Sequence, residues 1–171
     1  MPMSTAMWAC EKGFDKMALR RILTDKDEML HKVCKPVEKF DEKLAQLLDD
    51  MHETLDKADG VGLAAPQIGI CRRVFIMHLG EDDIIEAVNP EIISKDGKQR
   101  VQEGCLSCPN VWGYVTRPAA CRLKAQDRNG NWFERDFTEL GAQCTCHEND
   151  HLDGHVFTEI VEEFFVPEEN K

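Results

Sequence analysis

Basic side chains are scarce in this sequence. Its 171 residues carry 21 Lys and Arg against 32 Asp and Glu, a formal charge of −11. Such a surface repels phosphate, which argues against a general binder of nucleic acid or of anionic membranes. No apolar run approaches the roughly 20 residues of a membrane-spanning helix. There is no internal repeat, no low-complexity tract and no Pro/Gly/Ser-rich linker, so the length reads as one domain over 17–171. Residues 1–16 have neither a basic region nor a sustained apolar one, so they do not read as a secretion signal. They read as an extension, with a second start-like segment beginning at Met17.

Against these absences stand eight cysteines: Cys10, Cys34, Cys71, Cys105, Cys108, Cys121, Cys144 and Cys146. Without a route to an oxidising compartment they are expected to stay reduced. Clustered Cys and His are then better explained by metal binding or catalysis than by disulfides. Hydrophobic residues make up 42 % of the chain, enough to build a core.

Apolar residues recur at helical spacing over 41–59 (Leu44, Leu47, Leu48, Met51, Leu55) and predict a helix, with Asp41 to cap it and Gly60 to end it. From 73 to 135 the pattern changes to short apolar runs at 74–77, 84–88, 91–94, 111–115 and 121–126, which read as strands. Asp96-Gly97 and Asn129-Gly130 mark tight turns between them. A second helix is predicted over 139–153, with Thr138 as its cap and Gly154 as its stop, followed by a strand or final turn over 156–161. Short strands joined by turns predict an α+β fold built on antiparallel sheet.

The sharpest motif lies on the second helix. His147 and His151, four residues apart, share a helix face and can aim two imidazoles at one metal ion, with Glu148 beside them to handle water. A catalytic site needs a third protein ligand. The residues leave two choices: a downstream glutamate (Glu159, Glu162 or Glu163), or Cys105 within EGCLS (103–107), where Gly104 permits close backbone approach. A closed structural site using Cys105, Cys108 and Cys144, Cys146 or His147 is a further arrangement. GVGLAAPQ (60–67) supplies small residues for close approach to a ligand, and Gln67 supplies an amide donor.

GVGLAAPQ, EGCLS and HENDH, in this order and separated by roughly 35 to 40 residues, resemble the three signature motifs of the peptide deformylases. The likeness runs from about residue 17 to about 161. The resemblance implies antiparallel sheets packed around a central metal-binding helix. It implies one divalent ion held by Cys105, His147 and His151, usually Fe2+, with Zn2+, Ni2+ or Co2+ able to substitute. Glu148 would be the general base and then the proton donor, while the Gln67 amide and the Leu106 backbone N–H would stabilise the oxyanion. The implied reaction removes formate from N-formyl-methionyl nascent peptides, with transient ribosome association at most, in bacterial cytoplasm and with no specific nucleic acid or membrane partner. Backbone groups of Val61, Gly62 and Gly104 would hold the peptide extended, and Val61 and Cys144 would wall the methionine pocket. Glu103 and Arg117 are expected to form a buried pair behind the Cys105 loop. Cys108, Cys146 and Trp112 depart from the family pattern, and their roles stay open.

Overall fold

The computed structural model describes residues 18–168. The extension 1–16, with Cys10, and the start-like Met17 lie outside them. The element order is α1 (Glu42–Ala58), β1 (Gly62–Ala64), β2 (Val74–Gly80), β3 (Asp83–Asp96), β4 (Gln99–Cys105), β5 (Cys108–Arg117), β6 (Ala120–Gln126), β7 (Trp132–Thr138), α2 (Glu139–Leu152) and β8 (Glu163–Phe165). The strands form two antiparallel sheets, one ordered β1-β2-β3-β6-β7 and one ordered β4-β5-β8. The fold is α+β, as the run of short strands between two helices predicts.

Strand β2 shows why the large sheet is covered on both faces. All four residues from Val74 to Met77 are buried. Side chains alternate across a strand, so Val74 and Ile76 meet Leu44, Leu48, Met51 and Leu55 of α1, while Phe75 and Met77 join the core around Ala142, Cys144 and Leu152 of α2. Each buried Leu or Met of α1 contributes roughly 1.5–3 kcal/mol of transfer free energy. Asp41 caps α1 by accepting from the N–H groups of Lys43 (3.1 Å) and Leu44 (3.2 Å). A polar chain adds a second tie between α1 and the sheet. His52 Nδ1 meets His78 Nε2 at 2.8 Å, His52 Nε2 meets Glu86 at 2.8 Å, and Arg128 also donates to Glu86.

Several local expectations need revision. The helix α1 is closed by Asp59, which takes the left-handed conformation (φ 54°), not by Gly60. Gly60 instead lets the side chains of Leu55 and Leu106 close over it, since a Cβ there would lie 2.9 Å from each. The runs at 84–88 and 91–94 are one strand, β3; its pairing shifts register around Asn89 and Pro90, and a bulge is where a strand tolerates proline. Thr138 precedes α2 without capping it through its side chain; the N–H of Glu139 finds the carbonyl of Ala119 instead. The 156–161 segment is a turn containing a short 3-10 helix (Phe157–Glu159), and the strand follows it as β8. Among the described residues no helix is long and apolar enough to cross a membrane.

Candidate metal centre

Helix α2 carries the centre of the molecule. Nine of its residues are buried, including Thr145, His147, Glu148 and His151, so it is a polar helix in an apolar setting. Each buried polar group there needs a partner or a purpose. Cys105, at the end of β4, approaches from the small sheet. Ligand atoms of Cys105, His147 and His151 lie within 4.8 Å of one another, and Cys105 Sγ stands 3.3 Å from His151 Nε2. The glutamates considered as third ligands are engaged elsewhere: Glu159 with His155, Glu162 and Glu163 with Arg100. Cys146 stands beside Cys121 of β6, outside this cluster, and that neighbour and burial raise its thiol. Among the described residues, three donors converge here, the number a catalytic rather than a closed structural site provides.

A second layer holds the first. The Nδ1–H of His147 donates to Glu103 Oε2 at 2.8 Å, which leaves the lone pair of its Nε2 for an ion. Arg117 grips Glu103 through two hydrogen bonds of 3.1 and 2.6 Å and reaches Asp150 at 2.6 Å. Arg117 is 5 % exposed and Glu103 is 4 % exposed, so the expected pair is present and buried. Burial alone would raise the Glu103 carboxyl, but hydrogen bonds from His147 and Arg117 hold it down at about 2. Asp150 was not anticipated: inside HENDH it reads as a spacer, yet it closes the network on α2.

The remaining polar atoms suit a divalent cation. Burial pushes the Glu148 carboxyl up to about 7, and its Oε2 has no hydrogen-bond partner among the described residues. Burial also drives His151 well below the usual imidazole range, which leaves neutral the Nε2 that stands 3.3 Å from Cys105 Sγ. A hydrogen bond with Cys108 and burial raise the Cys105 thiol. The pocket therefore disfavours an isolated charge on any of them. A divalent cation among them reverses that balance for the thiol and the carboxyl. One thiolate and two imidazoles form a donor set suited to a transition ion.

The centre is reached from a cleft of about 590 Å³ lined by Gly62, Gly104, Leu106, Trp112, Cys144 and Glu148. Its borders are β1 and β4, each an edge strand with one side unpaired among the described residues. Val61 gives its carbonyl to His78 N–H (2.7 Å), so on this border it offers its half-exposed side chain and not that backbone group, contrary to the expectation. Gly62, one residue on, has the opposite backbone direction and faces the open side. Gln67 is buried; its Oε1 accepts from Ala64 N–H (2.9 Å), and its Nε2 points to Ser107 Oγ (3.1 Å) and Cys105 Sγ (3.6 Å). Leu106 lies in the two-residue turn between β4 and β5. Trp112 lays its ring over Gly104, where a Cβ would meet it at 2.8 Å. Cys108 packs as a small apolar residue with Val115, Val156 and Phe157.

Comparison with known proteins identifies the family and the fold. The model of the family "Polypeptide deformylase" matches residues 19–164. The chain belongs to the peptide deformylase family. Its sequence is 52 % identical over 153 residues to the peptide deformylase of Caldicellulosiruptor bescii, covering 90 % of this chain and 92 % of that protein. The crystal structure of a peptide deformylase from Legionella pneumophila superimposes with a TM-score of 0.83 at 44 % identity, covering 85 % of this chain and 87 % of the other. That of the Thermotoga maritima protein gives 0.82 at 37 %, covering 85 % and 99 %. Members of the family are hydrolases of the formyl amide on nascent peptides.

Gly62 offers a direct test of the cleft. A Cβ built on it would lie 2.6 Å from Glu148 Oε1 and 2.8 Å from Cys144 Sγ. Gly62→Ala is expected to displace the Glu148 carboxylate, lowering kcat/KM at least tenfold while costing about 1–3 kcal/mol of stability. Steady-state kinetics beside thermal unfolding measures both; unchanged kinetics would show that the carboxylate has room to spare.

Proposed function

We propose that this chain removes the formyl group from N-formyl-methionyl peptides at one divalent ion held by Cys105, His147 and His151. The observation that carries the proposal is the convergence of these three donors beside the unpartnered Glu148 Oε2, at the floor of a cleft between two open strand edges. When bound, a divalent ion supplies Lewis-acid polarisation and makes water acidic enough to ionise near neutral pH. Glu148 takes a proton from the attacking water and returns it to the departing amine nitrogen. The Gln67 amide and the Leu106 N–H donate to the oxygen that gains charge as the formyl carbon is attacked. For Gln67 this exchanges its long contact to Cys105 Sγ for a charged acceptor.

Gly62 and Gly104 lend backbone groups to an extended peptide lying between β1 and β4, a strand-addition mode. The side chains of Val61 and Cys144 wall the methionine pocket. Ferrous iron is the ion this reading assigns, with Zn2+, Ni2+ or Co2+ as substitutes. Formylated chain ends place the work in bacterial cytoplasm, with transient contact to the ribosome.

Formate release from a short N-formyl-methionyl peptide tests the proposal, run anaerobically on protein reloaded with Fe2+. Turnover by the metallated chain is expected. Cys105→Ala is expected to lose both the metal and the turnover, because two imidazoles alone hold an ion weakly. Fully metallated protein that releases no formate would sink the proposal; retention of metal by the Cys105 variant would remove that residue from the ligand set.

A further inference from the structure

Seven cysteines fall among the described residues, all as free thiols. Six stand as neighbours: Cys105 with Cys108, Cys121 with Cys146, and Cys34 with Cys71. The first set contains a metal-site donor, and both members of the second are buried. The third differs in a way that matters for reactivity. Cys34 is 3 % exposed, whereas Cys71 is partly exposed.

Backbone pairing sets these two side by side. Lys35 and Arg72 form a parallel bridge, with Lys35 N–H donating to the Cys71 carbonyl (3.3 Å) and Arg73 N–H donating to the Lys35 carbonyl (2.9 Å). Cys34 and Cys71 each precede one bridge partner, so they are in register and on one side of the pairing. Strands so paired run about 4.8 Å apart, inside the range of roughly 4.4–6.8 Å that disulfides span between Cα atoms. Both side chains join the same apolar cluster beneath α2, and Cys71 Sγ lies 3.6 Å from the carbonyl of Val33, next to Cys34.

We propose that Cys34 and Cys71 form an oxidisable dithiol, a modification site at which a hydroperoxide produces a disulfide under the C-terminal end of α2. The partly exposed Cys71 thiolate attacks one peroxide oxygen; the S–O bond forms, the O–O bond breaks, and hydroxide or alkoxide leaves. Cys34 sulfur then bonds to Cys71 sulfur, the S–O bond breaks, and the Cys34 proton departs with the hydroxyl as water. The two thiols lose two electrons and two protons, and the hydroperoxide is reduced to water and an alcohol, or to two waters for hydrogen peroxide. Burial pushes the Cys34 thiol up to about 12, which keeps its proton in place until the second step.

The bond would tie together two strands that hold the same helix end. Cys34 N–H donates to the Leu152 carbonyl (2.8 Å), and Arg73 donates to that carbonyl (3.2 Å) and to Asp153 (2.9 Å). Leu152 follows the ligand candidate His151. The closed loop would contain α1, Gly62 and Gln67.

The test uses the full chain loaded with redox-inert Zn2+, and hydrogen peroxide. After alkylation of remaining thiols and proteolysis, mass spectrometry is expected to find the peptides of Cys34 and Cys71 joined. The free-thiol count falls by two, the melting midpoint rises by about 5–10 °C, and dithiothreitol reverses all three. In Cys34→Ser, Cys71 is expected to stop as a sulfenic acid that dimedone traps; in Cys71→Ser, Cys34 is expected to stay reduced. A Cys71 joined to Cys10 or to a second chain overturns the proposal. So does a Cys71 oxidised to sulfinic acid without a cross-link, or a pair left unchanged while Cys105 oxidises. The mapping on the unmodified sequence decides the matter even if a variant fails to fold.

Discussion

Replacing Glu148 with alanine is expected to leave the metal bound and to lower kcat/KM by about 10³-fold, the range of a lost general acid–base group. The physical basis is the state of its carboxyl. Glu148 is 3 % exposed, its Oε2 has no partner, and burial pushes it up to about 7. An unpartnered buried carboxyl is a poor structural element, since desolvation is left without a compensating hydrogen bond. A cation beside it would lower its pKa, favouring the ionised form that accepts a proton. Removing it should therefore cost no stability, and the melting midpoint should hold or rise. Metal analysis, thermal unfolding and formate release on one preparation separate these effects. Turnover near that of the unmodified chain would take Glu148 out of the chemistry.

The second large effect is expected at Arg117. Arg117→Ala leaves the Glu103 carboxylate buried with no charged partner, only the neutral donors His147 Nδ1–H (2.8 Å) and Gln143 Nε2 (3.3 Å). Breaking a buried pair by removing one member costs about 3–5 kcal/mol. At roughly 2–4 °C per kcal/mol for a chain of this size, the melting midpoint should fall by about 10 °C or more. The centre should suffer as well. Without Arg117, Glu103 binds a proton more readily and holds the His147 ring less firmly, and loss of such support typically costs 10–100-fold in metal affinity. Adding Glu103→Gln removes the orphaned charge and should recover most of the stability but not the affinity. A double variant that regains both would show that the pair serves the fold alone. Unchanged metal retention and turnover in Arg117→Ala would remove it from the site's support.

What the sequence reveals here follows from what each feature demands of side chains. Helix α1 is legible because one face must be apolar and the other charged, and 74–77 is legible because every residue is covered. The two histidines of the candidate metal site are legible because few residue types bind transition ions and a helix forces their spacing; Cys105, at the end of β4, has no such spacing and is singled out only through the family resemblance. Strand β4 leaves little trace: Gln99–Cys105 lies at an edge, with Val101 as its one large aliphatic residue, and is held by its backbone ladder to β5. Strand β8 hides in an acidic tail for the same reason, its place fixed by pairing with β5 and by Arg100 contacts to Glu162 and Glu163. The continuity of β3 through Asn89-Pro90 depends on tertiary support, since Asn89 bonds the backbone of Val37, 52 positions away. Likewise His52 and His78, 26 positions apart, carry no local pattern that announces their meeting.

The three donors belong to two different layers. Cys105 ends a strand of the small sheet, while His147 and His151 ride on a helix packed against the large one. An ion held by them, as proposed, would act as a rivet between parts that the chain itself joins by loops and side-chain packing. Cys105 and His151 are 46 residues apart, so an unfolded chain offers no such grip, and the free energy of holding the ion is cohesion between the layers. Parting the layers and releasing the ion would then be one cooperative event, and the ion proposed to work on substrate would also report that the molecule is closed.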